Sequence, residues 1–497
     1  MTRPRIDAVA DVRIAGPGAE LLPGAEVYDI VFEDGRIADI APAGALRLSG
    51  AVHRADGAFV IPGLWDHHVH VTQWALAALR EPLGDAVSAT DAAARMGRAA
   101  PGVDGRRVGT GFRDALWPDV PSLEVLDAAT GDIPSYLINA DVHSVWLNSA
   151  ALAREGVSSD DGVLREGPAF EMSRRLNELP DQIADAAVAT MAAAASARGV
   201  VGVVDLDMVW NESSWQRRRS AGFDQLRVEF GVYPDLLDRA IAAGLRSGDV
   251  LRGDDDGLVT VGPLKAITDG SLGTRTAACS VAYADGTHPH GLLTITPGDL
   301  REIMTRATGA GFDCAIHAIG DDALRHALDA YAATGAHGTI EHAQLVAASD
   351  IPRMARLGLA ASVQPEHALD DRDLTDSIWA TQTARPYPLR SLWAAGVDLR
   401  FGSDAPVSPL DPWRAIAAAA SRTRDGREPW APDETVSVDV ALAASTHRGS
   451  ADPDTIAVGQ RADLALLAAD PRTAEPAALR GMEVVGTILD ARVTHAF

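Results

Sequence analysis

Lysine is almost missing from this chain. Among 497 residues, Lys265 stands alone beside 43 arginines. Arginine replaces lysine wherever only a surface charge is needed, but a guanidinium cannot lose its proton and form a covalent bond as an amine can. A lysine that escapes such a bias is therefore expected to do chemistry. Its setting, Val259-Thr260-Val261-Gly262-Pro263-Leu264-Lys265-Ala266-Ile267, reads as a buried strand. The scarcity also excludes whole classes. A phosphate-binding Gly-Lys-Ser/Thr loop fails because Ala266 follows Lys265. A Ser-x-x-Lys nucleophile fails because Gly262 stands three residues before it, and the kinase signature set is absent.

Cysteine is nearly as scarce. Cys279 and Cys314 are the only two, too few for a disulfide framework or a cysteine-rich zinc site. No run of about 18 uncharged apolar residues occurs, so no membrane span is expected. The segment Met1-Thr2-Arg3-Pro4-Arg5-Ile6-Asp7 lacks the apolar core of a signal peptide, which points to the cytoplasm. Positive charge is in deficit: the formal net charge is −25, which repels phosphate backbones and excludes nucleic acid as an expected partner. With 47% hydrophobic and 23% charged residues, the chain has a globular composition. A small-molecule substrate is the expected partner, with room for self-association into a homo-oligomer.

Both chain ends are rich in short strand signals. Val27–Phe32 and Ile37–Ile40 flank Asp34-Gly35, a hairpin pattern. Ala462–Leu467, Val484–Leu489 and Ala491–Val493 repeat the theme at the far end. The two ends are expected to form one small β-sandwich domain, residues 1–62 with 443–497. Between them, apolar runs alternate with helical segments such as Thr296–Ala310 and Asp321–Thr334. Runs at 58–61, 200–206, 226–232, 258–267, 312–317, 338–342, 360–363 and 397–402 make eight. Eight strand–helix units predict an α/β fold with a (β/α)8 TIM-like barrel over residues 63–442. The long gap after the first strand predicts an insertion at about 75–190.

Histidines and acids recur where these runs end. In Pro62-Gly63-Leu64-Trp65-Asp66-His67-His68-Val69-His70, residues two apart share a face, so His68 and His70 can grip one metal while His67 points away. Lys265 ends the fourth run, His317 the fifth, His342 the sixth and Asp404 the eighth. Barrel active sites lie at that end. Four imidazoles and a carboxylate suit a divalent metal of borderline softness, zinc first, at one or two per chain. Such a metal activates water near neutral pH, and Asp404 is the carboxylate placed to move the proton. A lysine ammonium repels metal. Lys265 suits the cluster as a ligand only as a carbamate, which would bridge two metals.

These residues, in this order, resemble the amidohydrolase superfamily, and within it the YtcJ-like branch (amidohydrolase 3 family). The resemblance runs along nearly the whole chain. It includes Pro62–His70, Asp141–Ser149, Asp269–Ala277, His317–Asp321, Glu341–Gln344, Gln364-Pro365 and Gly402–Val407. It implies His68 and His70 on a first metal, His317 and His342 on a second, Lys265 as bridging carbamate, and Asp404 as ligand and general base. The implied activity is hydrolysis of a C–N bond (amide, formamide or cyclic amide) by a metal-activated hydroxide. One departure stands out: the branch usually has Asp-Gly-His where this chain has Asp141-Val142-His143. Valine disfavours backbone angles open to glycine, so a reshaped loop is expected there.

His143, Asn148, Arg275 and Gln364 are candidate substrate contacts. His143 and Asn148 lie in the insertion and are equally readable as turn or capping residues. Arg275 could fork a substrate carboxylate or pin its own loop through Asp269. Three other readings stay open. One is ester hydrolysis or deamination on the same site. Another is a lyase using a Lys265 Schiff base. The third is a metal-dependent binding protein, against which Asp404 speaks, since binding needs no general base.

Overall fold

The computed structural model describes residues 3–19, 24–102, 104–284 and 288–496. The chain divides into two compact units, Met1–His70 with Ala192–Phe497, and Val71–Met191.

The first unit contains eight parallel strands in barrel order: β1 (Leu64–Val69), β2 (Val200–Asp205), β3 (Arg227–Val232), β4 (Val259–Ile267), β5 (Cys314–Ala318), β6 (Gly338–His342), β7 (Ala360–Val363) and β8 (Asp398–Phe401). Their sequences are near-continuous apolar runs because parallel strands are covered on both faces; every residue of β2 is buried. Helices such as Pro297–Gly309 and Asp321–Thr334 connect them. The first of these starts where Thr296 accepts from Asp299 N at 3.2 Å and Pro297 supplies the preset φ of a first helical residue.

Seven of the eight junctions are ladders. The eighth, between β1 and β8, is closed past the strand ends, where Asp404 N donates to His68 O at 2.7 Å and His70 N to Ala405 O at 2.9 Å. Gly402 makes this approach possible, since a Cβ there would lie 2.7 Å from His68 N.

One strand differs from expectation. The run at 58–61 is not the first barrel strand. Phe59–Pro62 pairs antiparallel with Leu464–Leu467, and β1 begins after Gly63. A Cβ on Gly63 would meet Val201 at 2.5 Å, so glycine lets the chain pass from one sheet to the other. Both runs are apolar and β-forming; only the partner distinguishes them.

The two chain ends do combine. Arg492–Ala496, Val484–Leu489, Leu464–Leu467, Phe59–Pro62, Ala8–Ile14, Tyr28–Glu33 and Arg36–Pro42 form one sheet in that order, with Val52–Arg54 also paired to Ala8–Ile14. The strand Ala8–Ile14 belongs to both halves. Ala8 and Val9 pair with Tyr28–Glu33, while Arg13 and Ile14 pair with Phe59–Pro62. The two groups of strands are therefore joined through Ala8–Ile14. Its core draws Val9, Ile30, Val60, Leu464, Leu466 and Ile488 into one cluster.

The second unit carries a five-stranded sheet, ordered Val163–Arg165, Ser144–Leu147, Ser135–Asn139, Arg107–Phe112 and Glu81–Pro82. Among the described residues, no helix is long and apolar enough to cross a membrane.

Candidate metal centre

β1 presents His68 and His70 on one face and sends His67 elsewhere, as period-two geometry requires. His67 bonds through Nε2 to Thr446 O at 2.8 Å, and burial pushes its pKa down to about 3. His68 is fully buried. Its Nδ1 lies 2.5 Å from Glu341 Oε2; the other ring nitrogen, Nε2, is 3.1 Å from Lys265 Nζ and 3.6 Å from Asp404 Oδ1. His70 Nε2 lies 3.4 Å from the same carboxylate oxygen. β6 delivers His342, whose Nδ1 meets Gln364 Oε1 at 2.8 Å. The ring centres of His68 and His342 are 4.8 Å apart, and those of His317 and His342 4.6 Å.

His68, His342 and Asp404 each offer a ligand atom, all within 4.8 Å of one another. His342 and Asp404 both take left-handed backbone angles, φ 71° and 57°. That conformation costs a non-glycine residue about 1–2 kcal/mol. It also ends the alternation of the strand, so Glu341 and His342 can both reach His68.

Electrostatics favour metal-competent protonation states at His68, His342 and Asp404, whereas at His70 burial is outweighed by the hydrogen bond and charge of Asp404, which raise its pKa. Burial, then the Lys265 charge, pushes the His68 imidazolium down to about 4. Burial and the neighbouring His317 and His68 push His342 well below its usual range. Burial alone would raise the Asp404 carboxyl, but His68, His70 and His342 outweigh it and hold it well below the usual carboxylate range. Neutral imidazoles beside an ionised carboxylate are what a divalent metal needs. His70 Nδ1 is buried and has no partner among the described residues. The donor set therefore fits a divalent metal. Lys265 is 1% exposed, and burial lowers its pKa against the opposing pull of Glu341 and Asp404.

His317 sits on β5 with Nε2 3.2 Å from Asp269 Oδ1, although that nitrogen makes no well-aligned hydrogen bond. Asp269 accepts from the backbone N–H groups of Ala278, Ile319 and Gly320, so it fixes the loop around His317. Arg275 lies in a turn closed by Arg275 N to Leu272 O at 3.0 Å.

One expectation changes. Asn148 is not a substrate contact. It is fully buried and its amide is spent: Oδ1 accepts from Ser135 N and Ala151 N, and Nδ2 donates to Thr130, Gly131 and Ile133. It caps the helix Ser149–Glu155. Gln364 holds His342 through its oxygen, and its nitrogen reaches Ser362 O at 3.4 Å. The loop at Val142 places that valine at a left-handed φ of 57°. It is held by Val142 N to Asn139 O and by Asp141 Oδ1, which accepts from His143 N. His143 itself pairs with Glu166 at 3.0 Å and packs edge-on against Phe170.

Sequence reasoning missed several residues. Glu341 orients His68. Asp66 accepts from His68 N and Ser403 N and so ties β1 to the loop after β8. Burial pushes its carboxyl up to about 7. His367 is buried, its Nε2 has no partner among the described residues, and its ring lies parallel to His342 at 6.4 Å. The Glu341 signal was available as a carboxylate beside a candidate ligand.

A model of the amidohydrolase family matches residues 52–495. The putative amidohydrolase YtcJ of Bacillus subtilis is 26% identical over 484 residues, covering 88% of this chain and 89% of that one. The N-substituted formamide deformylase of Arthrobacter pascens is 26% identical over 421 residues, covering 74% and 75%. Among solved structures, an uncharacterised metal-dependent hydrolase of Pyrococcus horikoshii OT3 superposes with a TM-score of 0.80 at 24% identity, over 94% of this chain and 98% of that one.

Proposed function

The chain belongs to the amidohydrolase family, and from that premise we propose that it is a metal-dependent hydrolase of a C–N bond in an amide, formamide or cyclic amide, with Asp404 as general base. The observation that carries this reading is the convergence of His68, His342 and Asp404 within 4.8 Å at the strand ends where barrel enzymes place their chemistry. The similarity to a formamide deformylase supports the bond class.

A divalent metal, zinc by donor type, supplies a Lewis acid that polarises the substrate carbonyl and acidifies water when bound. The protein's own contribution is orientation and proton transfer. Glu341 and Gln364 fix the rings of His68 and His342 through Nδ1, so that each Nε2 is turned towards the candidate centre. Asp404, ionised and shared between His68 and His70, takes the proton of the attacking water and returns it to the departing nitrogen. Lys265 in its ammonium form, 3.1 Å from His68 Nε2, would compete for that nitrogen's lone pair. Condensation of the neutral amine with CO2, with loss of one proton, gives an anionic carbamate that contributes ligands instead. Its burial favours the neutral amine that this step requires.

The test pairs metal content with turnover on N-substituted formamides, cyclic amides and esters. Asp404→Asn is expected to lower kcat by about 10²–10⁴ with the fold intact by circular dichroism. Wild-type turnover in that variant would remove the general-base assignment. His68→Ala is expected to lose the metal.

A further inference from the structure

Beside the metal ligands lies a narrow cleft lined by His342, Gln364, Tyr387, Leu389, Leu392 and Arg422 among others. Arg422 follows the helix Pro412–Ser421 and is fully buried. Its guanidinium is fixed on one side only. Nε donates to Trp430 O at 3.2 Å, and the Trp430 ring lies 5.2 Å from its centre. Nη1 and Nη2 have no hydrogen-bond partner among the described residues.

Among the described residues, no carboxylate lines the cleft. Glu434 bears electrostatically on Arg422, yet its oxygens are taken by Ser391 N at 2.9 Å, Ser391 Oγ at 2.6 Å and Arg385 at 3.3 Å. The Tyr387 hydroxyl is committed to Asp371 at 2.7 Å, and Gln364 Oε1 to His342. Burial pushes Arg422 down to about 10, which still leaves it charged at neutral pH. A buried, unpaired cation is costly and calls for a counter-charge.

We propose that this cleft is an anion site, in which the two free nitrogens of Arg422 clamp one small monovalent anion, a halide or a planar carboxylate of formate size. The guanidinium presents a flat fork preset by Trp430, the geometry that suits such ions. The remaining walls, Val363, Pro365, Leu389 and Leu392, are apolar and limit the ligand to a few atoms. Because His342 and Gln364 share the cleft, the anion neutralises a full positive charge beside a candidate metal ligand.

The full chain is crystallised with bromide as the only halide, and separately with formate. A bromine anomalous peak, or planar three-atom density, within hydrogen-bond distance of Nη1 and Nη2 supports the site and tells the two sources apart. An ordered water there under both conditions overturns it. In solution, the thermal midpoint is followed as bromide replaces gluconate at constant ionic strength. A tenfold rise above the dissociation constant is expected to raise the wild-type midpoint by about 2 °C, with Arg422→Gln flat. Equal shifts in both proteins overturn the assignment. If Arg422→Gln does not fold, the wild-type anomalous map decides alone.

Discussion

The barrel mouth and the inserted unit use the same residue types in opposite ways. In the barrel, His68 and His342 each have Nδ1 held by a buried acceptor, Glu341 or Gln364. That arrangement fixes ring and tautomer and leaves the other nitrogen for a ligand. In the insertion, His143 pairs through Nδ1 with Glu166, whose side chain is 47% exposed, and Asn148 spends its whole amide on its own fold. A polar side chain is poised for chemistry when its supports are buried and one atom is left over. It is structural when every atom is used.

The sharpest way to break this contrast is to weaken a support in the barrel. Glu341→Gln keeps an acceptor for His68 but removes its charge, and is expected to weaken metal binding by about 10–100-fold, read by chelator competition. The same variant carries a pH signature. Burial would raise the Glu341 carboxyl, but the charge and hydrogen bond of His68, with Lys265, depress it from 4.5 to about 2. A depressed folded-state pKa means stability present above 4.5 and lost as the pH falls towards 2. The gap in urea midpoint between metal-free wild type and variant should therefore close below pH 4.5. A gap constant across that window would show that the charge on Glu341 is not what holds the ring.

In the insertion the expected loss is of stability alone. Asn148→Ala removes a helix cap and leaves Ser135 N unpaired, a cost of about 2 kcal/mol, with kcat/KM unchanged. A fall in kcat/KM without a fall in melting temperature would return Asn148 to the substrate contacts. The smallest expected effect is at Val142. Val142→Gly relieves a left-handed β-branched residue and is expected to add about 1 kcal/mol of stability, measured by denaturant unfolding. A destabilised variant would mean that the valine side chain packs well enough to offset the strain.

Much of this is legible in the sequence. The apolar runs of β2 to β8 name their strands, and the candidate ligands stand at strand ends because the barrel mouth is built there. The run at 58–61 misled because periodicity marks a strand without naming its partner. Glu341 stands beside a candidate ligand, but alternation assigns neighbours to opposite faces, and that rule fails where His342 turns left-handed. Asn148 carried a visible cap signal, Asn-Ser-Ala-Ala ahead of a helix, but sat in a segment read for specificity. The supports of His342 and His317 join residues 22 and 48 positions apart, and only the folded topology brings them together.

The junction between β1 and β8 has a consequence for biosynthesis. The barrel is sealed by hydrogen bonds from Asp404 and His70 to His68 and Ala405, which are also the residues of the candidate centre or their neighbours. Closing the barrel and completing the centre are therefore one event. It joins segments more than three hundred residues apart, so the ribosome must deliver most of the polypeptide before that event can occur. A nascent or truncated chain would carry His68 and His70 without Asp404. Incomplete copies would thus lack the candidate general base, and the candidate centre would be complete only with a finished barrel.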